Sequence, residues 1–263
     1  MIEHFKKFDE GDKSLLPLSF SHINEFAFYR ERWALRRIFG YEFPSSASAE
    51  RGSAVESGLN MILNGLSFTD ASKLMIENYN QNCERLNDPK TDDERQNLVP
   101  LLELGASKFK EFAFQWNLLD YQKKIEVDIL GIPMIGYTDF HFEDKNTKED
   151  FFIDLKTSKN MPQNISTSHK MQQSIYHKAT NSRQMLWYLK NPTKTKDAEF
   201  SQKELIDYNT PLKLCEHIIK VMGNFLKNVD SAEDVKMALI PNPDNWIWKE
   251  DTVYRARKEV WGY

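Results

Sequence analysis

The sequence predicts a layered α/β (α+β) fold, and three observations carry that reading. Apolar residues recur at helical spacing through most of residues 1–118, the period drops to two within 119–202, and helical spacing returns from 203. We therefore expect one domain over 1–263: a mainly helical part at 1–118, a sheet core at 119–202, and a C-terminal helix with an aromatic tail at 203–263. A chain of 263 residues that is 40% hydrophobic and 13% aromatic can bury a large core and is not a disordered segment.

Taken in order, "LSFSHINEFAFYRERWALRRIFG" places serines ahead of Ile23, Phe26, Trp33 and Ala34, which predicts one N-capped amphipathic helix ending at Gly40. "SSASAERGSAVESGLNMILNG" reads as a loop and a second helix that stops near Gly65, and 68–83 and 94–117 carry further helical spacing. "YQKKIEVDIL", "IPMIGYTDFHF" and "FFIDLKT" are short and rich in β-branched and aromatic residues, which predicts a meander of three antiparallel strands. "STSHKMQQSIYHKAT" is then a helix, "RQMLWYLK" a strand, and 203–228 a long amphipathic helix through Leu212, Cys215, Ile219 and Met222. There is no internal repeat or low-complexity run.

The formal net charge of -4 hides an asymmetry. From Leu155 to Lys196 there is no Asp or Glu but eight cations, namely Lys156, Lys159, Lys170, Lys178, Arg183, Lys190, Lys194 and Lys196. A cationic strip on an acidic body confines a polyanion to one groove, although such a run also serves as a plain solvated face. Cys83 and Cys215 both sit in helical patterns, too few for a disulfide framework or a four-cysteine cluster, and read as core thiols. The leader "MIEHFKKFDEGDK" lacks the apolar run of a signal peptide or membrane span, so we expect an intracellular protein with no membrane contact, in a host cytoplasm if a phage encodes it. No H-E-x-x-H, phosphate-binding G-x-x-x-x-G-K-[ST] or G-x-S-x-G run is present, and His141, His169 and His177 read as polar surface or phosphate contacts.

The strand "FFIDLKT" raises the chemical question, because an apolar strand ends in Asp154 and Lys156. If "EDKNTKED" closes its hairpin symmetrically, Phe142 faces Phe151 and Asp139 faces Asp154. Directly opposed like charges destabilise a sheet, and a hard divalent cation such as Mg²⁺ resolves the conflict by taking carboxylate oxygens. The period of two then sets Lys156 beside Asp154 with Leu155 on the other face. An ordinary surface ion pair at a strand end is the other reading of "DLK".

Five segments in order resemble the RecB-like and phage-exonuclease branch of the PD-(D/E)xK nucleases: "LSFS" from Leu18, "GSAVE" from Gly52 to Glu56, "GYTD" from Gly136 to Asp139, "DLK" from Asp154 to Lys156, and "QQSIY" with Gln172 and Tyr176. The resemblance spans residues 18–180 and implies a restriction-endonuclease-like core, with a central mixed sheet flanked by helices and a helical N-terminal decoration. It implies a DNA nuclease, most simply an exonuclease in recombination, repair or phage DNA processing, in which Glu56, Asp139, Asp154 and the Leu155 carbonyl hold Mg²⁺ or Mn²⁺. Lys156 would position or activate a water and stabilise charge on the phosphate. DNA contacts would come from Gln172, Tyr176, Ser21, Arg30, Lys159 and Lys170. Two alternatives stay open, a catalytically silent nucleic-acid-binding scaffold and a structure-specific endonuclease of the junction-resolvase type.

Many members have His where Glu56 stands here. Members with an iron-sulphur cluster place a cysteine about where Tyr29 falls, so no cluster is expected; Trp246, Trp248, Tyr254 and Trp261 would staple the tail by packing. Ser19 and Ser21 serve equally as helix caps, and one or two of Arg30, Arg32, Arg36 and Arg37 are expected to pair with Glu25 or Glu31. A helicase or single-strand annealing protein would be a separate chain, and a homo-oligomer is allowed.

Overall fold

The two changes of period correspond to helical layers on both faces of one mixed sheet. The computed structural model describes residues 1–8, 14–242, 244, 248 and 251–263. A short α1 (Ile2–Phe5) precedes β1 (Leu18–Ser19), α2 (Phe20–Phe28), α3 (Arg30–Arg37), α4 (Ala47–Leu63), α5 (Phe68–Cys83), α6 (Thr91–Gln96) and α7 (Leu98–Phe112). The sheet core follows as β2 (Trp116–Ile129), β3 (Ile132–Asp144), β4 (Asp150–Ser158), α8 (Thr167–Thr180), β5 (Arg183–Lys190) and β6 (Glu199–Glu204). The chain closes with α9 (Asn209–Lys227), α10 (Ala232–Ala238) and α11 (Asp251–Trp261).

β3 pairs along its length with β2, antiparallel. Its other edge is shared: β1 pairs in parallel at Met134 and Ile135, and β4 pairs antiparallel from Phe140 to Glu143. β5 then adds to β4 in parallel and β6 to β5 antiparallel. The expected meander and hairpin register are present, with Phe142 opposite Phe151. One core, built from α2, α8, α9 and the outer part of β2 and β3, holds Phe26, Ile125, Met134, Tyr176 and Met222. The opposite core, under α4, α5 and α7, holds Leu59, Phe109, Phe140, Phe142, Phe151, Leu155 and Trp187. In that core the Phe109 ring lies 4.5 Å from Trp187 and 5.3 Å from Phe140, centroid to centroid. Each such fully buried large side chain contributes roughly 1.5–3 kcal/mol.

Several boundaries differ from the sequence expectation. Leu18–Ser19 is a strand, and the helix after it breaks at Tyr29, whose backbone sits at φ −145°, ψ 55°. In an unbroken helix Arg32 and Arg36 would lie about 10 and 16 Å along the axis from Glu25. The break brings both within 3.5 Å of the buried Glu25 carboxylate. The helix expected at 94–117 is two, α6 and α7, and ends at Phe112, where Trp116 stacks on Phe112 (4.3 Å) and starts β2 instead. The helix expected from 203 begins at Asn209, because Asp207 Oδ1 accepts the backbone N–H groups of Asn209 (2.9 Å) and Thr210 (3.1 Å). The polar segment before it pairs as β6, with Gln202 accepting the Trp187 indole N–H at 3.2 Å.

In the tail, Trp248 packs with Leu35, Val253 and Ala256, and Arg257 lies over Trp248 (5.0 Å) and Tyr254 (5.2 Å). Trp261 packs edge-on against Phe39 and donates its indole N–H to the Lys236 and Leu239 carbonyls. Trp246 lies outside the described residues. Cys83 and Cys215 are free and buried. Among the described residues no helix is long and apolar enough to cross a membrane.

Candidate active site

Between the β1 and β4 pairings, residues 136–139 of β3 have no strand partner on that edge. The sheet therefore carries a notch, and the sequence "GYTD" lines it. Asp139 and Asp154 fall one step past the last pair, Phe140 with Ile153, so the register expectation holds but the two are not a ladder pair. Instead Asp139 Oδ2 accepts the Leu155 backbone N–H at 2.7 Å. The carboxylate thus takes a bond that a continuing ladder would have used.

The other edge of the notch is β4. Leu155 packs into the α4–α7 core, so strand alternation turns Asp154 and Lys156 to the opposite face. Asp154 is 3% exposed, and its Oδ1 has no hydrogen-bond donor among the described residues. The Lys156 ammonium lies 2.6 Å from Oδ2, a close ion pair. Glu56, on α4, takes a hydrogen bond from the Gln122 amide at 3.2 Å, and the same amide lies 3.2 Å from the Tyr121 hydroxyl. So Glu56, Asp139, Asp154 and Lys156, up to 100 positions apart in sequence, act on one another electrostatically.

That proximity perturbs their acidity. Burial pushes the Asp139 carboxyl well above the usual carboxylate range, the charges of Asp154 and Glu56 push it further, and Lys156 and the Leu155 N–H oppose. Burial also raises Glu56, against the pull of its Gln122 and Tyr121 hydrogen bonds. Burial alone would lower Lys156, but Asp154 and Asp139 outweigh it and the ammonium is held above its ordinary value. It stays protonated through neutral pH. His169 is lowered by burial and by the Lys156 charge, and its Nδ1 lies 2.7 Å from the Tyr188 hydroxyl.

The donor chemistry suits a hard divalent cation, since the Glu56, Asp139 and Asp154 carboxylates act on one another in the notch and Asp154 Oδ1 is buried without a hydrogen-bond donor among the described residues. As the side chains stand, however, no three His, Cys, Asp or Glu side chains among the described residues are arranged to hold a metal ion. The physical reason is visible. Asp139 is turned to Leu155, and the Lys156 ammonium is the cation that Asp154 meets.

Gln172 and Tyr176 address the notch from α8, as their spacing of four predicts. Gln172 donates to the Tyr176 hydroxyl (3.1 Å), which donates to the Tyr137 carbonyl (2.9 Å) on the unpaired edge of β3. A Cβ on Gly136 would come 2.9 Å from the Tyr176 ring, so the glycine of "GYTD" makes room for the tyrosine of "QQSIY". Ser21 is exposed and its Oγ meets Ser19 Oγ at 2.7 Å; Arg30 lies over the Phe26 ring at 4.5 Å. None of their described hydrogen bonds or ion pairs reaches the carboxylates.

The basic strip is partly neutralised. Lys190 pairs with Glu199 (3.0 Å), Arg183 with Glu204 (3.6 Å) and Lys156 with Asp154, so β6 answers charges that looked unopposed in sequence. Lys159 is exposed just past β4 and Lys170 half-buried on α8. His141 is a correction: it is buried, stacked on Phe152 at 4.3 Å, with Nε2 3.0 Å from Asp150. His177 stacks on Tyr208 and its Nδ1 bonds the Ser182 carbonyl. Tyr121 and Gln122 were not singled out by sequence; only the β2–β3 register, which sets Gln122 opposite Asp139, could have flagged them.

No protein-family model and no curated protein matches the chain. Among solved structures, the crystal structure of a "Putative exonuclease" from Eubacterium rectale matches with a TM-score of 0.55 and 11% identity, over 92% of this chain and 97% of that one. A second, SSO0001, has 16% identity over 76% of this chain and 86% of that one, but its TM-score of 0.32 is too low to bear on the fold. At these identities the likeness to the first is one of fold: a central mixed sheet flanked by helices, shared nearly end to end.

Proposed function

We propose that the protein is a metal-dependent DNA nuclease that hydrolyses phosphodiester bonds, acting as an exonuclease in DNA recombination, repair or phage DNA processing. The observation that carries this is the notch itself, where the Glu56, Asp139 and Asp154 carboxylates and the Lys156 ammonium converge, with the buried Asp154 Oδ1 lacking a donor among the described residues. The fold shared with the Eubacterium rectale protein supports the nuclease part of the reading.

Glu56, Asp139, Asp154 and the Leu155 carbonyl would hold Mg²⁺ or Mn²⁺, which when bound lowers the pKa of a water and neutralises charge on phosphate oxygens. The chain's own residues do the rest. Burial holds Asp139 and Glu56 above the usual carboxylate range, and a cation held between them would favour their ionised forms. Lys156 remains protonated, so its role is that of a donor to the phosphate oxygen on which charge develops, and not that of a base. Tyr176 donates to the Tyr137 carbonyl on the unpaired edge of β3, two residues from Asp139, whose own carboxylate is oriented by the Leu155 N–H. Lys159, exposed just past β4, and Lys170, half-buried on α8, would meet the DNA backbone.

The test is degradation of linear duplex and single-stranded DNA with Mg²⁺, Mn²⁺ or EDTA, by wild type and by Asp154→Ala and Lys156→Ala. Metal-dependent loss of substrate by wild type alone is expected. A second reading, a catalytically silent nucleic-acid-binding protein, is favoured by the Lys156 ammonium on Asp154 and the unassembled ligand set. DNA binding without hydrolysis in any metal would establish it. Cleavage of branched or covalently closed DNA in preference to linear ends would instead indicate a resolvase-type endonuclease.

A further inference from the structure

Gln122 lies in the middle of β2 with a φ of 51°, the left-handed region that glycine adopts freely and glutamine does not. It falls between the pairs Tyr121–Phe140 and Lys123–Thr138, which sets it opposite Asp139. Strand alternation reverses at this point. On β3, a Cβ on Gly136 would face Tyr176 of α8 and Met134 packs in the same core, whereas Phe140 and Phe142 face Phe109 of α7. All four numbers are even, so a regular strand would put them on one face. On β2 the same reversal separates Tyr121, which packs on Phe140 at 5.5 Å, from Ile125 in the opposite core.

The reversal lets two adjacent side chains reach one target. The Gln122 amide lies 3.2 Å from both Glu56 Oε1 and the Tyr121 hydroxyl, so one amide ties the hydroxyl and the carboxylate together. Neighbours on a regular strand point apart, and these converge.

We propose that Tyr121 and Gln122 are positioning residues that hold Glu56 in reach of Asp139 and Asp154, with the left-handed turn at Gln122 as the device that aims them. This rests on the nuclease reading of the notch. Its consequence is that the distance from Glu56 to the aspartates is set by the sheet, through β2 and its neighbour β3, and not by how α4 happens to pack. Strain of this kind persists where the surroundings enforce it, and a glutamine kept at a glycine position is kept for its amide.

The test is thermal unfolding titrated with MnCl₂ for wild type, Gln122→Gly, Tyr121→Phe and Glu56→Gln. Glycine accepts the backbone angle, so Gln122→Gly should melt in EDTA at or above wild type, yet need about tenfold more Mn²⁺ for half of the metal-induced rise in Tm. Tyr121→Phe keeps the ring on Phe140 and should shift the Mn²⁺ requirement in the same direction. If both titrate as wild type while Glu56→Gln is weakened, the positioning role falls and the metal site stands. A Gln122→Gly protein that melts lower in EDTA with an unchanged Mn²⁺ requirement makes the pair structural only. If Mn²⁺ leaves wild-type Tm unmoved, this role and the metal reading fall together.

Discussion

The β3–β4 hairpin has two ends built on opposite principles. At the turn end, Phe140, Phe142, Phe151 and Ile153 pair in regular antiparallel register and bury their side chains under α7. One residue further along, the ladder stops, and the buried Asp154 is joined by the half-buried Asp139 and Lys156. The first end gains stability from each contact; the second sets like charges together where water is scarce. Rigidity at one end is what allows charge to be clustered at the other, because the apolar ladder fixes the strands so the carboxylates cannot drift apart.

The sharpest way to separate the ends is to neutralise one carboxylate. Asp139→Asn keeps an oxygen for the Leu155 N–H and removes the charge, so nuclease rate should fall roughly a thousandfold or more, on the scale of a metal's electrostatic contribution. Stability should move the other way. The Asp139 carboxyl keeps its proton above the usual range in the fold, so its favourable contribution is full at acid pH and is lost as pH rises through the raised value. In EDTA, wild type should lose Tm across that window, and Asp139→Asn should lose less and melt higher at neutral pH.

The apolar end should respond with a single sign. Phe142→Ala, at a side chain 3% exposed, is expected to cost about 3–5 kcal/mol in denaturant unfolding with no specific effect on metal response. Lys156→Met falls between the two kinds: it strands the buried Asp154 and should cost about 3 kcal/mol, an effect that Asp154→Asn in the same chain should largely relieve. Gly136→Ala tests the junction of the ends. Its Cβ meets the Tyr176 ring at 2.9 Å, and the strain should cost about 1–3 kcal/mol.

The smallest effects belong to the basic strip. Lys159→Gln and Lys170→Gln should each lower the salt dependence of DNA binding by about one unit of slope, as loss of one phosphate contact does. Lys190→Gln should change it less, because Glu199 already answers that charge.

This comparison also explains what the sequence made legible. The hairpin register could be read because "EDKNTKED" closes symmetrically and the aromatic residues alternate, and the helices α5 and α8 because their apolar spacing is strong. The break at Tyr29 and the strand β6 were not legible. The first interrupts an apolar spacing that runs on through it unchanged, and the second is an edge strand whose polar residues look like a loop until β5 pairs with them. Gln122 was hidden for a related reason: its backbone angle reverses the alternation on which strand reading depends.

The measurement closest to the central claim is an anomalous-scattering map from a crystal soaked in Mn²⁺. We predict a single strong peak or a close pair in the notch, ligated by Asp139, Asp154 and the Leu155 carbonyl with Glu56 adjacent, and the Lys156 ammonium displaced from Asp154 Oδ2. A map without a peak there at saturating Mn²⁺, with Lys156 still seated on Asp154, would contradict the account.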